Sequence, residues 1–304
     1  YAGNDRALIA DFQTGRIFVV NPTTSALIST IDTTGGQGTY DGTGSIAVSP
    51  DGTTAIASGS FSSYHVLTAP FGPSSTRTLI PMPGFIQGFQ SQAIVFNSAG
   101  RAFIYHFNGI SVVDAPYTSI SFTIPVTGNV GGSIAITPDG NTLLVTTRSG
   151  NQVQIFQGPF SSSSTSTSLT IPGGTQMQGI VVTPDGSKAL VVSSGAHHAA
   201  AISSPFSSGS TVESLPLASG SDGFEDVSIS SDGLFAILAG GSGNEPPMLI
   251  NAPFTAAGAV ATNVPLQGLS SPYRGNGSVK FLAGGAASTT PTGTPLACNG
   301  TLGI

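Results

Sequence analysis

The stretch Ser45-Ile-Ala-Val-Ser-Pro-Asp-Gly52 decides the fold, because close copies of it return along the chain. They read IVFNSAG at Ile94–Gly100, IAITPDG at Ile134–Gly140, IVVTPDG at Ile180–Gly186 and VSISSDG at Val227–Gly233. Each copy is a short apolar run that ends in a turn. A repeat of roughly forty to fifty residues with strand chemistry specifies a β-propeller.

One unit resolves into four strand signals, a to d from the inside out. Ile46-Ala47-Val48 is strand a, and Pro50-Asp51-Gly52 is a tight turn in which proline presets φ and glycine takes a positive φ. Thr54–Ala57, Tyr64–Leu67 and Thr76–Ile80 follow as strands b, c and d. A second signal closes each strand c: Ala69-Pro70-Phe71, Ala115-Pro116-Tyr117, Gly158-Pro159-Phe160, Ser204-Pro205-Phe206 and Ala252-Pro253-Phe254. Proline cannot donate to a sheet ladder, so it stops the strand. The ring after it is expected to pack beneath the outer hairpin, with carbohydrate stacking as the alternative.

The two ends have to be taken together. Gly3–Ile9 parallels Asp185–Val191, which makes Ala7–Ala10 a strand b with no strand a before it; Phe18–Asn21 and Ala26–Ile31 supply c and d. Ser278–Gly285 (SVKFLAGG) is a strand a with nothing after it. Pairing the two gives an all-β, six-bladed propeller of four-stranded antiparallel blades, closed on itself and without free inner edges. Seven blades is the alternative if residues 286–304 form strands, but their Thr-Thr-Pro-Thr-Gly-Thr-Pro composition suits an extended arm. The organisation expected is one domain over 1–285 and an arm over 286–304.

Composition limits the partners. Only 7% of the 304 residues are charged, the net charge is −6, and eight are Lys or Arg. Nucleic acid and anionic membrane surfaces both need clustered cations, so neither is expected. No apolar run approaches the ~18 residues of a membrane span. A hydroxyl-rich exterior, a chain that begins at Tyr1, and one cysteine, Cys298, that has no intrachain partner together suggest a secreted or cell-surface protein. Cys298 is available for an intermolecular crosslink, and the sequons at Asn276 and Asn299 permit glycosylation.

The apolar-Ser/Thr-Pro-Asp-Gly turn and its following strand, with Phe18-Val19-Val20-Asn21-Pro22 and Ile28-Ser29-Thr30-Ile31, resemble the YVTN-repeat and lactonase-like propeller superfamily over most of the chain. The matching positions are turn and core residues, so the resemblance implies a fold; the superfamily includes sugar-lactone hydrolases, surface-layer proteins and sensor modules. WD repeats fit less well, because the chain has no tryptophan.

Propeller ligands meet the channel mouth at the face carrying the b–c and d–a loops. Aligning the strands a on their turn glycines puts Asp41, Phe89, Asn129, Thr175, Asp222 and Arg274 at one equivalent position, with Glu225 and Asp226 close to Asp222. Three roles fit these charges. Arg274 bridges Asp41 and Asp222 and fastens the ring; or it orients a sugar, carboxylate or lactone while an acidic residue acts as base; or Asp222, Glu225 and Asp226 hold Ca²⁺. His106, Arg148 and His197 are expected to approach the same face, where a histidine paired with an acid performs general-base work. The function expected is a binding or assembly module that associates with protein, or with itself through the arm. A lactonase-like hydrolase and a glycan-binding propeller are the alternatives.

Overall fold

The repeated turn is built the same way four times, from a hydroxyl and a carboxylate two residues apart. In the computed structural model, Ser49 Oγ donates to Asp51 Oδ1 (2.5 Å), which also accepts from the Thr53 amide (3.0 Å). The Thr54 amide donates back to Ser49 Oγ (3.0 Å), and Gly52 closes the turn at φ 71° by donating to the Ser49 carbonyl (2.9 Å). The pairs Thr137/Asp139, Thr183/Asp185 and Ser230/Asp232 repeat the hydroxyl–carboxylate bond, each at 2.5 Å. In the degraded copy Asn97 substitutes: its Oδ1 accepts from the Arg101 amide (2.9 Å).

These bonds stabilise the ionised carboxylates. The Ser or Thr hydroxyl is the largest cause in each turn, followed by the backbone amide, and Asp51, Asp139, Asp185 and Asp232 all lie below the ordinary value of 3.8. A carboxyl whose folded pKa is depressed contributes stability above its unfolded pKa and loses it as pH falls through the folded one. The thermal midpoint is therefore expected to fall as pH drops below the ordinary carboxylate value of 3.8, and the quadruple Asp→Asn variant to show a flatter acid limb. Superimposable acid limbs would count against the turns as the acid-sensitive element.

The structure describes residues 6–11, 15–21, 24, 26–33, 45–58, 63–72, 75–81, 93–128, 131–218, 223–240 and 247–263. Their strands form six antiparallel sheets in sequence order. The first has β1 (Ala7–Asp11), β2 (Arg16–Val20) and β3 (Leu27–Asp32). The second has β4 (Ile46–Val48), β5 (Thr54–Ser58), β6 (Ser63–Thr68) and β7 (Arg77–Pro81). The third has β8 (Ala93–Phe96), β9 (Ala102–His106), β10 (Gly109–Val113) and β11 (Phe122–Ile124). The fourth has β12 (Ile134–Ile136), β13 (Thr142–Thr146), β14 (Gln152–Gln157) and β15 (Ser166–Thr170). The fifth has β16 (Met177–Val182), β17 (Lys188–Ser193), β18 (His198–Ser203) and β19 (Val212–Ser214). The sixth has β20 (Phe224–Ile229), β21 (Phe235–Gly240), β22 (Met248–Asn251) and β23 (Val260–Asn263).

The innermost strands β4, β8, β12, β16 and β20 neighbour one another in turn, and β1 lies against β4, so the sheets are the six blades of a propeller. The strand expected to complete the first blade, 278–285, lies outside the described residues, as does the arm 286–304.

Period-2 alternation explains how the blades hold together. Each side of a strand faces a different neighbour, so every apolar cluster spans two adjacent blades. Ala189 and Val191 of β17 pack with Leu144 and Ile155 of the fourth blade, while Leu190 and Val192 pack with Leu238 and Met248 of the sixth. The third blade divides likewise, Ile104 joining Ile56 and Tyr64 of the second, and Phe103 joining Val145 and Phe156 of the fourth.

The aromatic ring after each proline packs inward. Phe71, Phe206 and Phe254 are buried, Tyr117 lies edge-on to Phe96, and Phe160 lies edge-on to Phe103. The X-Pro bond before the ring is cis in all five turns. The ring residue's carbonyl accepts a bond from the preceding blade in three of them: from Arg6 Nη1 to Phe71 (2.5 Å), from Gln157 Nε2 to Phe206 (2.9 Å) and from Lys188 Nζ to Phe254 (2.7 Å). The Pro-aromatic signal thus ends a strand, fills the core and latches neighbouring blades.

Candidate functional site

The face that carries the b–c and d–a loops is tied down by buried hydroxyls at the ends of strands b. Ser58 Oγ accepts from the Ser45 amide (2.8 Å), Thr146 Oγ1 from Ser133 (2.7 Å) and Ser193 Oγ from Thr175 (3.1 Å). Thr146 Oγ1 also donates to the Gln178 carbonyl, and Ser193 Oγ to that of Thr175. Side chains beyond these ties therefore project from fixed backbone.

Two β-bulges then aim polar groups at this face. Pairing of β16 with β17 slips between Met177 and Ile180, and pairing of β20 with β21 slips between Phe224 and Asp226. Residues 178–179 and Glu225 are the irregular positions, each near the start of an innermost strand. A bulge bends its strand and redirects a side chain, which explains a polar group emerging from an apolar run. Gln178 is buried, and hydrogen-bond chemistry orients its amide: Nε2 donates to the Gly131 carbonyl (2.7 Å), and Oε1 accepts from Arg148 Nε (2.6 Å) and Nη2 (3.1 Å). Gly131, at φ 143°, lets the arginine pass closely, since a Cβ there would sit 3.1 Å from Arg148 Cδ.

Arg148 thus stands exposed but held in the b–c loop of the fourth blade. Burial raises the Glu225 carboxyl above the usual carboxylate value, with Asp226 adding to the rise and Arg148 opposing it. Arg148 and Glu225 feel one another without forming an ion pair. Asp226 Oδ1 accepts from the Val227 amide (2.9 Å). Beside Arg148 lies an open depression of about 370 Å³, lined by Ser149, Gly150, Asn151, Gly174, Thr175 and Gln176. Arg148, Glu225 and Asp226 are thereby brought to one region by blades four to six, with Gln178 as the residue that orients the cation.

The two histidines are placed differently. His106 is buried; its Nδ1 accepts from the Asn108 amide (3.1 Å), so Nε2 carries the proton and donates to Ser111 Oγ (2.7 Å). Burial lowers its pKa to about 4. His197 bonds the Ala218 carbonyl through Nε2 (2.8 Å) and packs against Phe224. Asp41, Asp222, Arg274, Asn276, Cys298 and Asn299 lie outside the described residues. Among the described residues no group of three or more His, Cys, Asp or Glu side chains is placed to hold a metal ion, and no helix is long and apolar enough to cross a membrane.

Solved structures share the overall fold of this chain. A candidate 6-phosphogluconolactonase of Bacteroides fragilis superimposes with TM-score 0.66 at 13% identity, over 86% of this chain and 81% of its own. Kuenenia stuttgartiensis hydrazine synthase matches with TM-score 0.65 at 15% identity, over 82% and 74%. A Myceliophthora thermophila Cps50 β-propeller domain matches with TM-score 0.61 at 12% identity, over 78% and 76%. No family model matches the chain, and no curated protein matches it. At these identities the likeness is one of fold: the chain shares the β-propeller architecture of these proteins.

Proposed function

We propose that the chain is a binding and assembly module of a cell surface or extracellular structure, joining copies of itself through the outer strands of its blades. The observation that carries this is the rim. Leu27 (60% exposed) and Ile28 (42%) on β3, Leu79 (47%) on β7 and Val260 (59%) on β23 put large apolar groups on outermost strands, whereas β15 and β19 present mainly hydroxyl and acidic groups. An outer strand has one unpaired edge, which is a template for a further strand, and apolar side chains on it favour pairing over solvation. A second copy is the occupant. The low charge and hydroxyl-rich composition suit an exterior location, and the Thr/Pro-rich segment 286–304 with Cys298 offers a second means of joining chains.

The test is sedimentation of the full chain over a wide concentration range, beside Leu27→Ser/Leu79→Lys. Mass that grows with concentration in the parent and not in the double variant supports rim pairing; a parent that stays monomeric throughout removes it.

A lactonase-like hydrolase is the second reading, favoured by Glu225, a half-buried carboxyl with a raised pKa beside Arg148. Such an acid exchanges protons nearer neutrality than an exposed one. Lactone turnover that disappears in Glu225→Gln and persists in EDTA would establish metal-free chemistry at this site; a parent inactive on a broad lactone panel would discard it.

A further inference from the structure

We propose that the depression beside Arg148 docks an acidic segment of a polypeptide partner, a partner carboxylate seating end-on against the guanidinium. Gln178 Oε1 occupies the Nε–Nη2 edge of Arg148, and Gln178 is itself anchored on Gly131 through its side chain and on Thr146 through its backbone. The guanidinium is therefore fixed in direction before any ligand arrives. Its remaining edge, Nη1 with the second Nη2 proton, has no partner among the described residues and offers two parallel N–H groups, the geometry a carboxylate takes up in bidentate fashion. Preorganisation removes much of the ordering cost that a free arginine carries into binding.

Shape points to a polypeptide. The depression is open, and its walls are loop backbone at Gly150 and Gly174 with the amides of Asn151 and Gln176, neutral groups suited to the main chain on either side of an acidic residue. A small free acid would find no enclosing wall here, and enclosed, largely apolar pockets are what small ligands ordinarily occupy. Glu225 makes no ion pair with Arg148 among the described residues, so the end-on edge of the guanidinium is not already taken by it. This docking is independent of the rim, so either can fail without the other.

The chain has six arginines, few enough for the Arg148 Nε–H signal of the arginine-labelled protein to be followed alone. The probe is an acetylated, amidated hexapeptide alternating Glu and Ser, beside its Gln/Ser counterpart, free glutarate and free gluconate. The Glu/Ser peptide is expected to shift the Arg148 signal saturably, with affinity falling about tenfold in Arg148→Gln and in Arg148→Lys. Gln178→Met, which keeps the guanidinium but releases it, should weaken binding by less. Backbone amide spectra of each variant report retained folding. No shift, an equal shift with the Gln/Ser peptide, or glutarate or gluconate binding as tightly as the peptide would each overturn the proposal.

Discussion

Phe206→Ala is expected to lower the free energy of unfolding by about 3–5 kcal/mol, the usual cost of removing a buried phenylalanine. The ring is 5% exposed and belongs to the cluster that joins the fourth and fifth blades, with Ile155 on one side and Ala189 and Ile202 on the other. Deleting it leaves a cavity where two blades meet, and relaxation there has to move both. The Phe206 carbonyl also accepts from Gln157, so a turn that loosens without its ring weakens an interblade latch as well. Urea denaturation measures the loss, and Phe206→Leu should restore a large part of it. A ring reserved for stacking carbohydrate would behave oppositely, being exposed and nearly silent in stability. A loss below about 1 kcal/mol would therefore show that packing does not explain the Pro-Phe signal. The five rings that follow the prolines are packed into or against blade cores.

What could be seen in the sequence follows from which interactions are local. The Ser/Thr-Pro-Asp-Gly turn encloses its hydrogen bonds within six residues, so its chemistry is spelled out in order, and β4 to β7 begin and end within a residue or two of the stretches expected. The Pro-Phe signal announced a strand end and a packed ring, but not the carbonyl latch, since Lys188 and Phe254 are brought together only by blade stacking. The site was legible in part. Arg148, Glu225 and Asp226 stood out as rare charges in a nearly uncharged chain. Gln178 did not, because a bulge is a mismatch between two strands and neither strand states it alone; the weak hint was a polar residue and a glycine, Gln178-Gly179, interrupting an apolar run. His106 ends β9 at the b–c hairpin, and what residue type alone does not announce is that the tight turn at Asn108-Gly109 folds its ring onto Ser111.

Gly179→Val is expected to cost about 3 kcal/mol, at the upper end for overpacking, and to lower the thermal midpoint by roughly 6–12 °C. No unusual backbone angle demands glycine here; the requirement is space. A Cβ at 179 would lie 2.8 Å from Asp226 Cα and 2.8 Å from the Val227 nitrogen, both backbone of β20, so no flexible side chain is available to yield. The strands β16 and β20 must separate near the axis, where both carry bulges, and the displacement falls directly on Glu225 and Gln178. Stability and site geometry should therefore change together: the Arg148 Nε signal should shift in Gly179→Val even without ligand, because the amide that holds it has moved. Gly150→Ala is the control, with nothing within 4 Å of its added methyl, and it should stay within about 0.5 kcal/mol of the parent while sitting on the same face. A Gly179→Val protein as stable as that control would mean that the fifth and sixth blades do not approach as closely as described, and the alignment of Gln178 with Arg148 would lose its structural cause.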